Sequence, residues 1–597
     1  MKNIKLSTLL LAATLSFTSC NDYLTEVNPN SVTTDIFWKN LNDCNQGLSA
    51  VYNAFRNTNI YDLASDNNRS DLTYPGYGRP STSNQYWLHT YTDASSSVNN
   101  KWAALYQGIF RTNQVISALN RIKSTISTDT DMETWVSQMA QARFFRGLFH
   151  FWLNQTYNNG DIIVYDFVPT TIDDFRQSLT KNEDVIEFYR SDLVYAYENL
   201  PESWEQKSDL GRVTLGAATA ILGQSYLYEK DYETAKTYFK EIIESGKYEL
   251  VDMSMNFTSK GEFNKESILE VAYTTKFNSE YDQWSPEALH NMNNMTISPV
   301  GGWRTIIPSA WLTMAYKEEQ MDLKDAQNKK LDENGELLGY YPYSIRASYS
   351  LALVDDERLD YYQCGVANAP FNNKEYAYFR KNTNWDIVES EKKLNERSGV
   401  NYRIIRLADV YLMYAECLIQ AGENNAGVNE ALVYINRIRR RSAVQLLGMG
   451  DEPLAEYSKN AVTFNGITYD AKALMEHLMY IERPLELCIE GYSLRQIDLR
   501  RWGITKDRFI ELSQKQFSIQ DEKGPEGYFL AFDYIDKNGK PAKKWNARLK
   551  RYNPEIHTDK NLVVVDFREA AGNYNDVQHA YYPIPNSETM ANGNLYK

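Results

Sequence analysis

Glu482, Glu486 and Glu490 recur every four residues, a spacing that puts three carboxylates on one face of a helix. Such a stripe could hold a metal or move protons. Its surroundings favour an ion-pairing role instead. Arg483, Arg495, Arg500 and Arg501 lie within or just after it, and Arg403 and Arg406 belong to the preceding helical unit. Buried ionic networks of this kind specify geometry more than they add stability. Other reactive residue types are scattered. The six histidines form no H-E-x-x-H and no pair at ligand spacing. No G-x-S-x-G elbow and no P-loop occurs. Gly76-Tyr77-Gly78 and Gly448-Met449-Gly450 lack the rest of a dinucleotide fingerprint. An acidic chain always offers carboxylate pairs, so their presence is no sign of a glycosidase. The residues describe a protein that binds, not an enzyme, and one without a cofactor; a structural calcium is left open.

Recognition chemistry is easier to find. The chain holds 44 tyrosines against 23 phenylalanines, most of them suited to packing between helices with the hydroxyl at the surface. Sugars present apolar C–H faces and hydroxyl rims. A sugar platform is therefore an exposed Trp or Tyr ring beside Asp, Asn or Arg. Two irregular polar stretches supply that mixture. Residues 57–99 offer Asp66, Asn67, Arg69, Arg79, Tyr86, Trp87 and Tyr91, and residues 276–310 offer Tyr281, Trp284, Trp303 and Arg304. Long loops inside a domain are more often functional than structural, so at least one of Trp87, Trp284 and Trp303 is expected to touch ligand. Trp102 shares a helical pattern with Leu105, Tyr106 and Ile109 and reads as core.

These loops need a scaffold, and the scaffold is helical. Over 404–418, Ile404, Leu407, Ala408, Tyr411, Ala415 and Leu418 fall at i, i+3, i+4 spacing. Ile405, Leu412 and Met413 widen the stripe into a helix buried on more than one side. Leu222-Gly223-x-x-Tyr226 followed by Ala235-x-x-x-Phe239 matches the two-helix tetratricopeptide pattern, with Thr219 where Trp is usual. Gly223 and Ala235 allow close approach, Tyr226 and Phe239 fill the space beside them, and Glu229-Lys230-Asp231 makes the turn. A looser copy runs from Tyr414-Ala415 to Ala431 and Ile435. Further helical pairs are predicted at 102–122 with 132–154, and at 184–199 with 212–229. One such unit cannot bury its own face, so several must stack. Arg437, Arg439, Arg440 and Arg441 read as a helix face paired with carboxylates. Asn334-Gly335, Asn465-Gly466 and Asn538-Gly539 predict hairpin turns. Cys44, Cys364, Cys417 and Cys488 show no C-x-x-C spacing and allow three pairings. Cys417 and Cys488 fall on apolar helical faces, as small buried hydrophobes.

Lys2 and Lys5 precede an apolar stretch from Leu6 to Phe17. It is shorter than the roughly 20 residues a spanning helix needs and reads as a signal-peptide core. Phe17-Thr18-Ser19-Cys20 resembles a bacterial lipobox, which implies a signal peptide over 1–19 and lipid on Cys20. No later segment reaches spanning length without charges, so a soluble body on a lipid tether is expected. With 43% hydrophobic and 24% charged residues the composition is that of an ordinary globular protein. A formal charge of −15 repels phosphate backbones and sets nucleic acid aside as a partner.

Six blocks then fall in a recognisable order. Arg143-Phe144-Phe145-Arg146-Gly147 runs through Tyr157-Asn158-Asn159-Gly160-Asp161. Gly211-Arg212-Val213-Thr214 opens the next helix. Arg406-Leu407-Ala408-Asp409 continues to Ala415-Glu416, and Ile435-Asn436-Arg437-Ile438-Arg439 follows. Glu482-Arg483-Pro484-Leu485-Glu486-Leu487 through Glu490-Gly491 precedes Arg495, Asp498-Leu499 and Arg501-Trp502-Gly503. Tyr582-Pro583-Ile584-Pro585 closes the set. In register behind a lipobox, these blocks resemble the SusD/RagB family of outer-membrane nutrient-binding lipoproteins. Two departures stand out: Pro484 replaces a basic residue and predicts a kink or a helix start, and the C-terminus lacks Asn-Pro-Gly.

The resemblance implies a mainly α fold in one SusD-like domain over 20–597, with an N-terminal part of about 20–250 and a C-terminal part of about 270–597. It implies a tetratricopeptide-like helical scaffold, small β-hairpin insertions and a loop-rich half that holds ligand, where the two aromatic loops come together away from the repeats. It further implies a lid over a TonB-dependent β-barrel transporter of the SusC type, oligosaccharide as ligand, and lipid anchoring at the outer membrane, facing the exterior. A peptide ligand, or a purely gating lid, is the alternative.

Overall fold

In the computed structural model the periodic apolar stretches become a continuous helical array. The structure describes residues 37–76, 81–258, 260–276, 284–299, 302–362, 375–386, 397–450, 458–520, 530–535 and 539–597, with the backbone alone for 530–535 and 542–546. Cys20, Arg79, Tyr281, Cys364 and Asn538 lie outside the described residues.

Eight helices of 13 residues or more stand among the described residues: α1 Leu41–Phe55, α2 Ser96–Ile122, α3 Asp129–Thr156, α4 Asn182–Asn199, α5 Leu215–Tyr228, α6 Tyr232–Glu244, α7 Leu407–Ala421 and α8 Val428–Arg441. Each packs on the next in that order, as stacked two-helix units must. Their starts are set locally. The Asn40 side chain accepts from Asp43 N–H and Asp43 answers in a capping box. The Thr128 and Asp231 side chains cap α3 and α6. Helices buried all round occupy the middle of the array: in α7 every residue from Leu407 to Ile419 is buried, Asp409 and Glu416 among them.

The tetratricopeptide reading of 219–239 holds in detail. A Cβ on Gly223 would lie 2.6 Å from Phe239 Cε1, so α5 and α6 touch across a site that only glycine leaves open. Gly223→Ala should cost about 1–3 kcal/mol through overpacking. A urea midpoint unchanged from wild type would show that Phe239 can simply step aside.

The helix predicted at 404–418 begins later than its periodicity suggests. β1, Thr73–Pro75, is followed along the chain by β2, Ser267–Val271, and it is β2 that claims the start of this segment. Tyr402–Arg406 is a strand paired antiparallel with β2. Ile404 and Ile405 are buried in that ladder, and a short apolar run fits a buried strand as well as a helix. β1 itself pairs with β3, Ile306–Pro308, in the register Thr73↔Pro308. This two-stranded ladder joins the two aromatic loops. A separate small core forms beneath it from Tyr74, Trp87, Ile307, Tyr361, Tyr378 and Trp385.

The asparagine–glycine turns divide. Asn334-Gly335 joins β4, Lys329–Leu331, to β5, Leu337–Tyr340, as a hairpin. Leu530–Ile535 and Pro541–Asn546 pair antiparallel across Gly539. Asn465-Gly466 makes no hairpin. Gly466 N–H donates to the Gly448 carbonyl at 3.0 Å, and Leu446 forms a parallel bridge with Phe464. The turn folds a loop back onto an earlier segment instead. Pro484 sits in the first turn of a short helix, Arg483–Glu486, directly after a π-turn over Leu478–Glu482. The backbone stays helical from before the π-turn through Arg483, so the proline lies inside a continuing helix and sits at the local irregularity that the π-turn makes. Cys44, Cys417 and Cys488 are buried free thiols.

Candidate functional site

The carboxylate stripe is fully engaged in ion pairs. Glu482 meets Arg346 at 2.6 Å and Arg439 at 2.8 Å. Glu486 meets Arg406 at 2.7 Å and also Arg441. Glu490 meets Arg406 at 2.7 Å and Lys381 at 2.6 Å. Arg406 closes the group on Glu266 at 2.6 Å. Of the arginines expected to face the stripe, only Arg406 does. Arg483 and Arg501 serve Asp409, Asp498 and Glu416. Arg495 joins Arg508 on Asp71, and Arg403 pairs with Glu270 at 3.7 Å. Arg500 donates to the Gln155 carbonyl at 2.6 Å. The basic cluster on α8 behaves as a paired face through Arg439, Arg440 and Arg441. Among the described residues no group of three His, Cys, Asp or Glu is arranged to hold a metal.

Burial alone would raise the Asp71 carboxyl, but Arg495 and Arg508 outweigh it and hold the pKa down at about 2. Glu266 is likewise pushed up by burial and pulled below its usual range, to about 2, by Arg441 and Arg406. A depressed carboxyl stabilises the fold above its unfolded pKa, near 4, and loses that contribution as pH falls through the folded value. Stability should therefore drop between about pH 4 and pH 2, by on the order of 2–3 kcal/mol for each of the two groups. Urea midpoints that stay flat across that window would contradict the pairing.

The first aromatic loop faces inward, which corrects the sequence reading. Trp87 is 1% exposed and packs edge-on to Tyr74 at 4.9 Å. Asp66 is buried against Lys101 at 2.6 Å. The half-buried Asn67 donates to the Leu63 carbonyl at 2.9 Å. Arg69 is buried 3.9 Å over the Tyr582 ring, and the Tyr91 hydroxyl donates to the His579 carbonyl at 3.0 Å. Tyr86 is buried too, its hydroxyl accepting from Ser97 N–H at 2.9 Å. These residues hold the loop down, and all but the half-buried Asn67 are closed off from a ligand. Trp87→Ala should cost about 3–5 kcal/mol, the range for emptying a buried tryptophan site. A thermal melt indistinguishable from wild type would return Trp87 to the surface.

Trp284 and Trp303 do the opposite. They are 55% and 52% exposed. Their rings are parallel, with 4° between planes and 6.2 Å between centroids. The Trp303 backbone is held directly, and the chain following Trp284 is held two residues on. Trp303 N–H donates to the Met295 carbonyl at 2.6 Å and Thr305 N–H to the Thr296 carbonyl at 2.7 Å. These bonds tie the approach to β3 to the short helix Asn293–Ile297. Two residues after Trp284, the Pro286 carbonyl accepts from Thr58 N–H at 2.8 Å. Glu287 then pairs with Arg111 of α2 at 3.1 Å. Next to Trp303, Arg304 sits in the left-handed region at φ 52° and reaches Glu375 at 3.4 Å. The result is a pair of half-exposed, mutually stacked indole rings, with Arg304 next to Trp303 in the chain and paired to Glu375. Such a platform can stack on the apolar face of a ring and hydrogen-bond its rim. Composition pointed to both tryptophans; their parallel pairing, and Glu375, had no signal in the sequence.

The family profile described as the SusD family matches residues 265–597. The chain belongs to the SusD family. A second profile, described as starch-binding and associating with the outer membrane, matches residues 22–227. SusD-like protein P25 of Formosa agariphila is 25% identical over 515 residues, which cover 83% of this chain and 89% of that protein. Among solved structures, a SusD superfamily protein from Bacteroides vulgatus superposes with a TM-score of 0.66 at 21% identity, covering 94% of this chain and 98% of that one. A laminarin-binding SusD-like protein superposes with a TM-score of 0.56 at 22% identity, covering 79% of this chain and 94% of that one. The mainly helical SusD fold follows from these likenesses. No helix among the described residues of this SusD-family chain is long and apolar enough to cross a membrane.

Proposed function

We propose that this SusD-family protein captures oligosaccharide on the Trp284–Trp303 platform and delivers it to a TonB-dependent β-barrel transporter of the SusC type. Lipid on Cys20 holds it at the outer membrane, facing the exterior, and it acts by binding and not by catalysis. One observation carries the reading: two parallel tryptophan rings, each about half exposed, stacked against one another. Large aromatic faces left in water mark a binding surface. Parallel rings suit the flat C–H faces of sugars, and the neighbouring Arg304 and Glu375 suit hydroxyl rims. The laminarin named for one structural relative and the outer-membrane association in the family description support ligand class and location.

The test is calorimetric titration of the protein starting at Cys20 with plant, fungal and host oligosaccharides and with mixed peptides. Saturable heat with one glycan class is the expected result. Heat from peptides alone would move the protein to peptide import. Silence with every ligand would make it a gating lid without a site of its own.

A further inference from the structure

A second opening shares no lining residue with the tryptophan pair. It is a cleft of about 850 Å³, within the 300–1,000 Å³ range usual for small-molecule sites. Its walls come from the helix Ala310–Lys317, the end of α8, the segment around the π-turn and the helix Thr505–Ser513. π-turns are rare and are frequently found at functional sites. This one runs over Leu478–Glu482, and His477, Tyr480 and Ile481 from it and its flank all reach the cleft.

The lining narrows the ligand. Its charges are already neutralised. Glu318 pairs with Arg551 and Glu319 with Arg346. Glu511 meets Arg508 and Lys515, both at 2.7 Å. Arg439 meets Glu482 at 2.8 Å. Glu476 is 4.0 Å from Lys472. Apart from the exposed Glu476, a phosphate or a free cation finds no uncompensated partner there. The rest mixes aromatic rings, side-chain amides, His477 and aliphatic side chains such as Leu447 and Ile481. Arg508 lies 5.0 Å over the Tyr480 ring and 4.3 Å over Trp311, which fixes Tyr480 in place. Tyr469 is held through its hydroxyl by Asn465 at 2.9 Å. The Tyr480 hydroxyl and the Gln445 side-chain amide, both partly exposed at the cleft, make no hydrogen bond to any described residue. The cleft thus offers fixed ring surface, spare donors and acceptors, and charges that are already paired.

We propose that this cleft is a second ligand site, for a short neutral saccharide, and that it binds independently of the tryptophan platform. The ligand class follows from the lining: hydroxyls serve as both donor and acceptor, and sugar C–H faces pack on tyrosine rings.

The experiment uses the full chain from Cys20 with Trp284→Ala and Trp303→Ala both in place, so that the platform is removed. Maltotriose, laminaritriose and xylotriose are the probes, at millimolar concentration, read by ligand-observed saturation-transfer NMR. At least one trisaccharide should still bind. Adding Tyr480→Ala should weaken it about tenfold, a 1.4 kcal/mol effect. Gln445→Ala, a partly exposed change that leaves the fold alone, should weaken it less but measurably. No transfer from any trisaccharide in the tryptophan double variant would overturn the proposal. Transfer indifferent to both Tyr480→Ala and Gln445→Ala would also overturn it. The platform reading is judged separately, by comparing wild type with the tryptophan double variant.

Discussion

Replacing both Trp284 and Trp303 with alanine lowers oligosaccharide affinity at the platform about a hundredfold or more while leaving the melting temperature nearly unchanged. Truncating an aromatic residue at the centre of a site commonly costs about 2 kcal/mol or more, and each 1.4 kcal/mol is a factor of ten in Kd. The two rings act together because they stack in parallel, with 6.2 Å between centroids. Losing either leaves half a platform, and losing both leaves none. The fold loses little, since each ring is about half exposed and surface substitutions usually stay within about 0.5 kcal/mol. Calorimetric titration beside a thermal melt separates the outcomes. Unchanged affinity would remove the platform from the mechanism. A large drop in melting temperature would make the rings structural, as Trp87 is.

The second large effect belongs to Arg406. Arg406→Ala should destabilise the protein by about 3–5 kcal/mol, because a buried pair that loses one partner strands the other. Here one guanidinium serves Glu266, Glu486 and Glu490, at 2.6 Å, 2.7 Å and 2.7 Å. All four side chains are almost wholly buried. An exposed pair such as Lys265–Glu249, at 2.8 Å, is worth about 0–1 kcal/mol and serves as the control. Adding Glu490→Gln to Arg406→Ala should recover part of the loss, since it removes one stranded charge and the two sites are directly coupled. Urea unfolding at neutral pH reads all of these. A loss under about 1 kcal/mol for Arg406→Ala would mean that water reaches the stranded carboxylates and relieves them of the penalty for a buried, unpaired charge.

Local signals were legible in the sequence where the physics is local. Gly223 and Phe239 lie one helical turn-and-return apart, so their contact shows in the spacing. The same holds for the helices at 96–122 and 129–156, found near their predicted bounds. Trp87 was misread because its neighbours Tyr361, Tyr378 and Trp385 come from far along the chain. Nothing near Trp87 announces them, and an aromatic residue in a polar loop looks the same whether it faces in or out. Ile404 and Ile405 were misread because a short apolar run has no period of its own, and only the partner strand β2 decides it. The ion-pairing role of Glu482, Glu486 and Glu490 was readable from charge. Their partners Arg346 and Lys381 were not, since both sit in segments without periodicity.

Asp71 meets Arg495 and Arg508 across 424 and 437 residues of chain. A polypeptide that emerges amino end first therefore carries this carboxylate unneutralised through most of its synthesis. Drying it before the late helices arrive would be costly. Burial of this early loop thus depends on side chains made hundreds of residues later.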